Sequence, residues 1–184
     1  MSITSAKSGA TGISLALDNN YMEPIATTVV GSGGVNTVIF NDIPQVYKHL
    51  QLRCTNKNTV SNISTGIVFN GDISANYFSH ILYGDGSISG SAAHTNYPTM
   101  AFLTYNSTTA NVYYSSVIDI LDYNNQNKNK TVRSLNGGDY NGSGFVALSS
   151  GCWNSFAAVT SIKINVAAGL FDQYSRFSLY GIKG

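Results

Sequence analysis

From Val35 onward the apolar residues of this chain recur at every second position and then stop at a turn. "SIKINV" (161–166) sets Ile162, Ile164 and Val166 against Lys163 and Asn165. "HLQLRC" (49–54) sets Leu50, Leu52 and Cys54 against His49, Gln51 and Arg53, and near the end Phe177 and Leu179 alternate with Ser178 and Tyr180. A period of two is the mark of a strand with one face buried. No stretch of about ten residues holds a convincing helical period. Turn chemistry separates the runs: Asn70-Gly71, the strongest short hairpin signal, then "NNQNKNK" (124–130) and "NGGDYNGSG" (136–144). About nine short strands at this spacing predict an all-β, antiparallel sandwich with a jelly-roll-like arrangement. The absence of helical crossovers argues against a parallel α/β sheet, and the absence of short repeats against a β-helix or propeller.

The first residues read differently. "SITSAKSGATGISLALDNNYMEPIA" scatters its apolar residues, with only Ile13, Leu15 and Leu17 alternating, and "GSGGVN" (31–36) punctuates after it. The division expected is an extended N-terminal arm over residues 1–34 and a β-sandwich domain over residues 35–184. The arm carries Ile3, Ile13, Leu15, Leu17 and Tyr21 as hydrophobic anchors for a partner. The competing reading makes this region an extra edge strand on its own domain.

Charge narrows the function. Only 10% of the 184 residues are charged and the formal net charge is +1, whereas 43% are hydrophobic. This composition has too much aliphatic and aromatic content for a disordered chain, and a surface so poor in charge favours association. There is no basic face of the kind a nucleic-acid binder needs, and no apolar run approaches the ~18 residues of a membrane span. The N-terminus lacks the apolar core of a secretory signal, so synthesis in a cytoplasm and reduced thiols at Cys54 and Cys152 are expected.

Catalytic chemistry is hard to find. Nine acidic residues are spread along the chain. Asp119 and Asp122, three apart on a strand, should face opposite sides. His49, His80 and His94 show no metal-ligand spacing, and "GSGGVN" lacks the Gly-Lys-Ser/Thr of a phosphate loop. "GDGSISG" (84–90) and "NGGDYNGSG" resemble calcium loops only superficially; a weak ion at Asp85 or Asp139 is the most they suggest. No enzymatic activity, cofactor or metal is therefore expected. Tyrosine is the enriched group, with 12 residues. Tyr77, Tyr83, Tyr97, Tyr105 and Tyr113 are candidate surface or glycan contacts, because the ring stacks and the hydroxyl bonds. The alternative is that these rings half bury in sandwich faces.

Several stretches occur together in a combination that is itself informative: "IFNDIPQVYKHLQLR" (39–53), "FNGD" (69–72) with "NYFSHILYGDGS" (76–87), "GCWNSFAAVTSIKI" (151–164) and "FSLYGIKG" (177–184). They resemble a module of virion structural proteins in tailed phages, notably those of cyanobacteria and marine bacteria. The leader "SAKSGATGISLALDNNYM" (5–22) resembles leaders of such proteins, and the likeness extends over about residues 35–184. It implies a virion structural protein without a catalytic site and leaves the place on the particle open; the length of the chain and the absence of shaft repeats favour a non-enzymatic capsid decoration or cement protein. Such a protein would sit on the outer shell as a homotrimer, in contact with the major capsid protein or other virion proteins, without nucleic acid or membrane. The alternative it implies is a tail or fibre component that binds a host-surface receptor or glycan. Either location is the virion, assembled in the host cytoplasm.

Overall fold

The computed structural model describes residues 21–61, 63–102, 109–140 and 142–184. Among them lie twelve strands and no helix. They are β1 (Met22–Val29), β2 (Thr37–Phe40), β3 (His49–Asn56), β4 (Thr65–Phe69), β5 (Tyr77–Gly84), β6 (Ser89–Tyr97), β7 (Met100–Phe102), β8 (Tyr114–Leu121), β9 (Lys130–Asp139), β10 (Gly144–Trp153), β11 (Ile162–Val166) and β12 (Arg176–Ile182). Eight form one sheet in the order β1-β12-β3-β8-β9-β10-β5-β6, and four form a second in the order β2-β11-β4-β7. All the pairings are antiparallel. The expected all-β antiparallel sandwich is the fold observed.

The alternation read in the sequence decides which residues meet between the sheets. Leu50, Leu52 and Cys54 of β3, Ile118 and Ile120 of β8, and Phe177 and Leu179 of β12 face Val38 and Phe40 of β2, Ile67 and Phe69 of β4, and Ile162 and Ile164 of β11. Each of these is at most 5% exposed, so the predicted register holds. At roughly 1.5–3 kcal/mol for each fully buried aliphatic or aromatic side chain, this layer dominates the stability of the fold. The small sheet is only half as wide, and where it ends the large sheet's inner face turns partly polar. Ser79, Ser134 and Ser149 are buried on this face, which also carries a satellite cluster of Ile81, Tyr114, Phe145 and Ala147, whereas Ser116 and Asn136 are buried opposite Thr65, Ile67 and Ile164 of the small sheet.

Three features depart from the sequence reading. First, Met22–Val29 is not part of a free arm: it pairs with β12 from Met22 opposite Ile182 to Val29 opposite Arg176. The expected boundary at residue 34 therefore falls beyond a strand of the body. Glu23 fixes that strand through Lys183 Nζ at 2.5 Å and by accepting the Tyr47 hydroxyl at 3.0 Å. Pro24 and the adjacent register shift hid the strand, because proline is depleted in strands and confined to edges. Second, β6, "SGSAAHTNY", is a strand that its small and polar residues did not signal. Third, Asn70 and Gly71 take the left-handed conformation of a tight turn, with φ of 52° and 69°, but do not close a hairpin. The strands they join belong to different sheets, so the turn carries the chain across the sandwich.

Candidate functional site

The outer face of the large sheet is the feature that composition alone left unexplained. Its residues are the alternates of the core set, and register places them in rows across the strands. One row runs from Arg53 on β3 to Val117 on β8, Leu135 on β9, Leu148 on β10, Leu82 on β5 and Ser91 on β6. Four consecutive members are large and apolar, yet Leu135 is 58%, Leu148 55% and Leu82 60% exposed. Val146 adds to them and is also exposed. Scattered apolar residues are normal on a surface, but a contiguous group is the usual sign of an interaction site.

The next row is polar and orders one flank of this patch. Gln51, Asp119, Arg133, Ser150, His80 and Ala93 lie opposite one another in turn. Asp119 accepts from Gln51 Nε2 at 2.8 Å and from Arg133 Nε at 3.0 Å. Arg53 donates to Gln51 Oε1 at 2.8 Å and sits over the Tyr180 ring. At the β6 side the small side chains of Ser91 and Ala93 stand beside Leu82, Leu148 and His80. The result is an open trough of about 680 Å³ rather than a filled surface.

The tyrosines expected at the surface divide. Tyr77 is fully buried and belongs to the core: its ring stacks on Trp153, and its hydroxyl receives the Phe69 N–H at 3.0 Å and donates to the Asp72 carbonyl at 3.0 Å. This corrects its reading as a contact residue; the end of the sandwich needed a large ring with a polar tip. Tyr83 packs on Phe145 in the satellite cluster, and Tyr113 donates to the Gln173 carbonyl at 2.7 Å. Tyr97 is 45% exposed, edge-on to His94. Tyr21 is exposed at the start of β1, where its carbonyl accepts the Lys183 N–H. Ile3, Ile13, Leu15, Leu17 and Tyr105 lie outside the described residues.

The polar groups considered for chemistry each have structural partners. Asp122 lies in the turn after β8 with a φ of 47°, paired with Lys48 at 3.2 Å and with Lys128. Hydrogen bonds from these lysines hold its carboxyl below the usual range, against a smaller opposing effect of desolvation. His49 Nδ1 accepts the Asp122 N–H at 2.9 Å and lies 3.6 Å from the Asp122 carboxylate. Asp85 accepts the Ser87 and Ile88 N–H groups at 2.8 Å, closing its own turn. Among the described residues no group of three acidic, histidine or cysteine side chains is placed to hold a metal. Cys54 is buried in the core and Cys152 half buried; both are free, and burial pushes both thiols up.

The sequence stretches that occur together, "FNGD", "GCWNSFAAVTSIKI", "IFNDIPQVYKHLQLR" and "FSLYGIKG", are tied to one another in the fold. Asn70 Oδ1 accepts the Thr160 and Ser161 N–H groups at 2.8 and 3.1 Å, and its Nδ2 donates to the Ala158 carbonyl at 2.7 Å. Asp72 accepts from Trp153 Nε1 at 2.7 Å and Asn76 Nδ2 at 2.8 Å. "FNGD" thus clamps "GCWNSFAAVTS". Gly181 of "FSLYGIKG" lies so close to Tyr47 of "IFNDIPQVYKHLQLR" that a Cβ would run into the ring. These contacts give the motifs an architectural use.

No family model matches the chain, and no curated protein matches it. Among solved structures it is similar to a protein of unknown function from Shewanella oneidensis MR-1. The two are 8% identical with a TM-score of 0.23, over 88% of this chain and 76% of that one.

The apolar row was missed because each strand was assigned one buried face. The signal was present: "FVAL" (145–148) and "HIL" (80–82) carry apolar residues on successive positions and hence on both faces.

Proposed function

We propose that this chain is a non-enzymatic structural protein of a tailed-phage virion, attached to the outer shell as a capsid decoration or cement protein. The observation that carries the reading is the exposed row Val117–Leu135–Leu148–Leu82 on a chain with a net charge of +1. A sheet face that leaves this much apolar surface uncovered, with little charge to keep copies apart, suits a protein that works inside an assembly. The resemblance of the clamped motifs to virion proteins supplies the kind of assembly. Its partners are the major capsid protein or other virion proteins and further copies of itself, as a trimer. Repetition on a symmetric shell lets weak contacts add. A second reading, a tail or fibre component that contacts a host receptor or glycan, draws on the exposed Tyr97 beside His94.

The test is to purify particles from infected cells, detect the chain by mass spectrometry, and locate it by imaging particles labelled on it. Label over the capsid shell is the expected result. Label confined to the tail selects the second reading, and absence from purified particles overturns both.

A further inference from the structure

We propose that the β6 edge of one copy is completed by the segment Ile13–Leu17 of a neighbouring copy, added as a ninth strand to the large sheet. The inference deepens the assembly reading and rests on it. Among the described residues β6 is the last strand of the large sheet and no strand pairs with its outer edge. Proteins usually blunt such an edge with charge, proline or a bulge that twists the edge away. The opposite edge, β1, has all three: Glu23, Pro24 and the register shift beside it. β6 runs for nine residues with no charged residue and no proline, and its register shift, with Asn96 at a φ of 57°, is confined to the Tyr97 end, leaving Ser89–His94 regular. A long edge left open in this way is a site for strand addition.

The side chains describe what the added strand should bring. Ser91 and Ala93 point to the outer face, and their small size leaves the trough beside Leu82 and Leu148. A strand paired with β6 sets alternate side chains next to Ser91 and Ala93, in line with the apolar row. Those side chains should be large, apolar and two residues apart. "GISLALD" (12–18) supplies Ile13, Leu15 and Leu17 at that spacing, with Ser14 and Ala16 between them.

Distance makes the donor a second copy. From β1 to β6 the sheet spans seven inter-strand steps, about 34 Å. The chain from Tyr21 back to Ile13 reaches at most about 28 Å when fully extended, and to Leu17 only about 14 Å. Each copy therefore donates from its β1 side and accepts at its β6 side. This contact is head-to-tail and closes into a ring if the rotation permits.

The full-length purified chain tests this. Light scattering after size-exclusion chromatography should give a multimer for the wild type. Two variants should each fall to the monomer mass with an unchanged β-type circular dichroism spectrum: Ser91→Lys/Ala93→Lys on the acceptor and Leu15→Asp/Leu17→Asp on the donor. In a Cys152→Ser background, chains with Leu15→Cys mixed with differently tagged chains with Ala93→Cys should be joined between copies by a short bis-maleimide. A monomeric wild type, either variant keeping the wild-type mass, or cross-links confined to single chains overturns the proposal. These outcomes concern the purified chain and are separate from whether particles carry it.

Discussion

The indole N–H of Trp153 donates to Oδ2 of Asp72 at 2.7 Å, tying the end of β10 to the turn that carries the chain from the small sheet to the large one. Trp153 is 2% exposed and packs on Phe69 and Tyr77, so this one carboxylate positions the largest side chain of the core.

Desolvation pushes the Asp72 carboxyl up, but hydrogen bonds from Asn76, Trp153 and Ser74 outweigh it and hold it at about 2. A depressed carboxyl stabilises the fold above its unfolded value near 3.8, and that stability is lost as the pH falls through about 2. Discounted for partial exposure, the effect is about 1–2 kcal/mol. Asp72→Asn should therefore be less stable than the wild type by that amount at pH 6, with the gap closing towards pH 2. Denaturant titrations followed by Trp153 fluorescence measure this; a gap of constant size down to pH 2 would remove Asp72 from the account.

Asn70→Ala should cost about 2 kcal/mol or more. It removes four side-chain hydrogen bonds to the segment before β11 and leaves alanine at a φ of 52°. Asn70→Gly keeps the backbone relaxed and loses only the bonds, so it should fall between Ala and wild type in thermal melts. Equal melting temperatures for the two variants would show that the backbone conformation contributes nothing.

The core between the sheets and the outer face of the large sheet should respond oppositely to charge. Ile164, 1% exposed and facing that sheet across the core, becomes an unpaired buried carboxylate in Ile164→Asp, at a cost on the order of 3 kcal/mol or more. Leu135→Glu on the outer face should stay within about 0.5 kcal/mol of the wild type and raise solubility. Leu135→Glu melting as low as Ile164→Asp would mean that the outer face is covered within the monomer.

The cysteines face opposite sides of the large sheet. Cys54 lies in the core between the sheets, whereas Cys152 alternates outward from Trp153 on β10. In the native chain Cys152 should react with a thiol reagent slowly and Cys54 only on unfolding, because the raised thiols are poor nucleophiles. Both should titrate after denaturation without reductant. Finding neither would establish a bridge that the fold forbids.

The sequence by itself determined the strands that bury one face: Leu50, Leu52, Ile162, Ile164, Phe177 and Leu179 all lie inward as their alternation required. A period-two pattern is enough there, because a slip of one residue would turn every side chain to water. It did not reveal β1 or β6, whose residues gain little by burial and are held by backbone pairing with β12 and β5. Nor did it reveal that Asn70-Gly71 crosses between sheets, since local turn geometry is the same whichever partner the next strand takes. The tertiary structure alone decided the candidate site. Leu82, Leu135 and Leu148 are distant in sequence and look like core residues one by one. Only the order of β8, β9, β10 and β5 aligns them, and only the narrow second sheet, spent on the opposite face, leaves them in solvent.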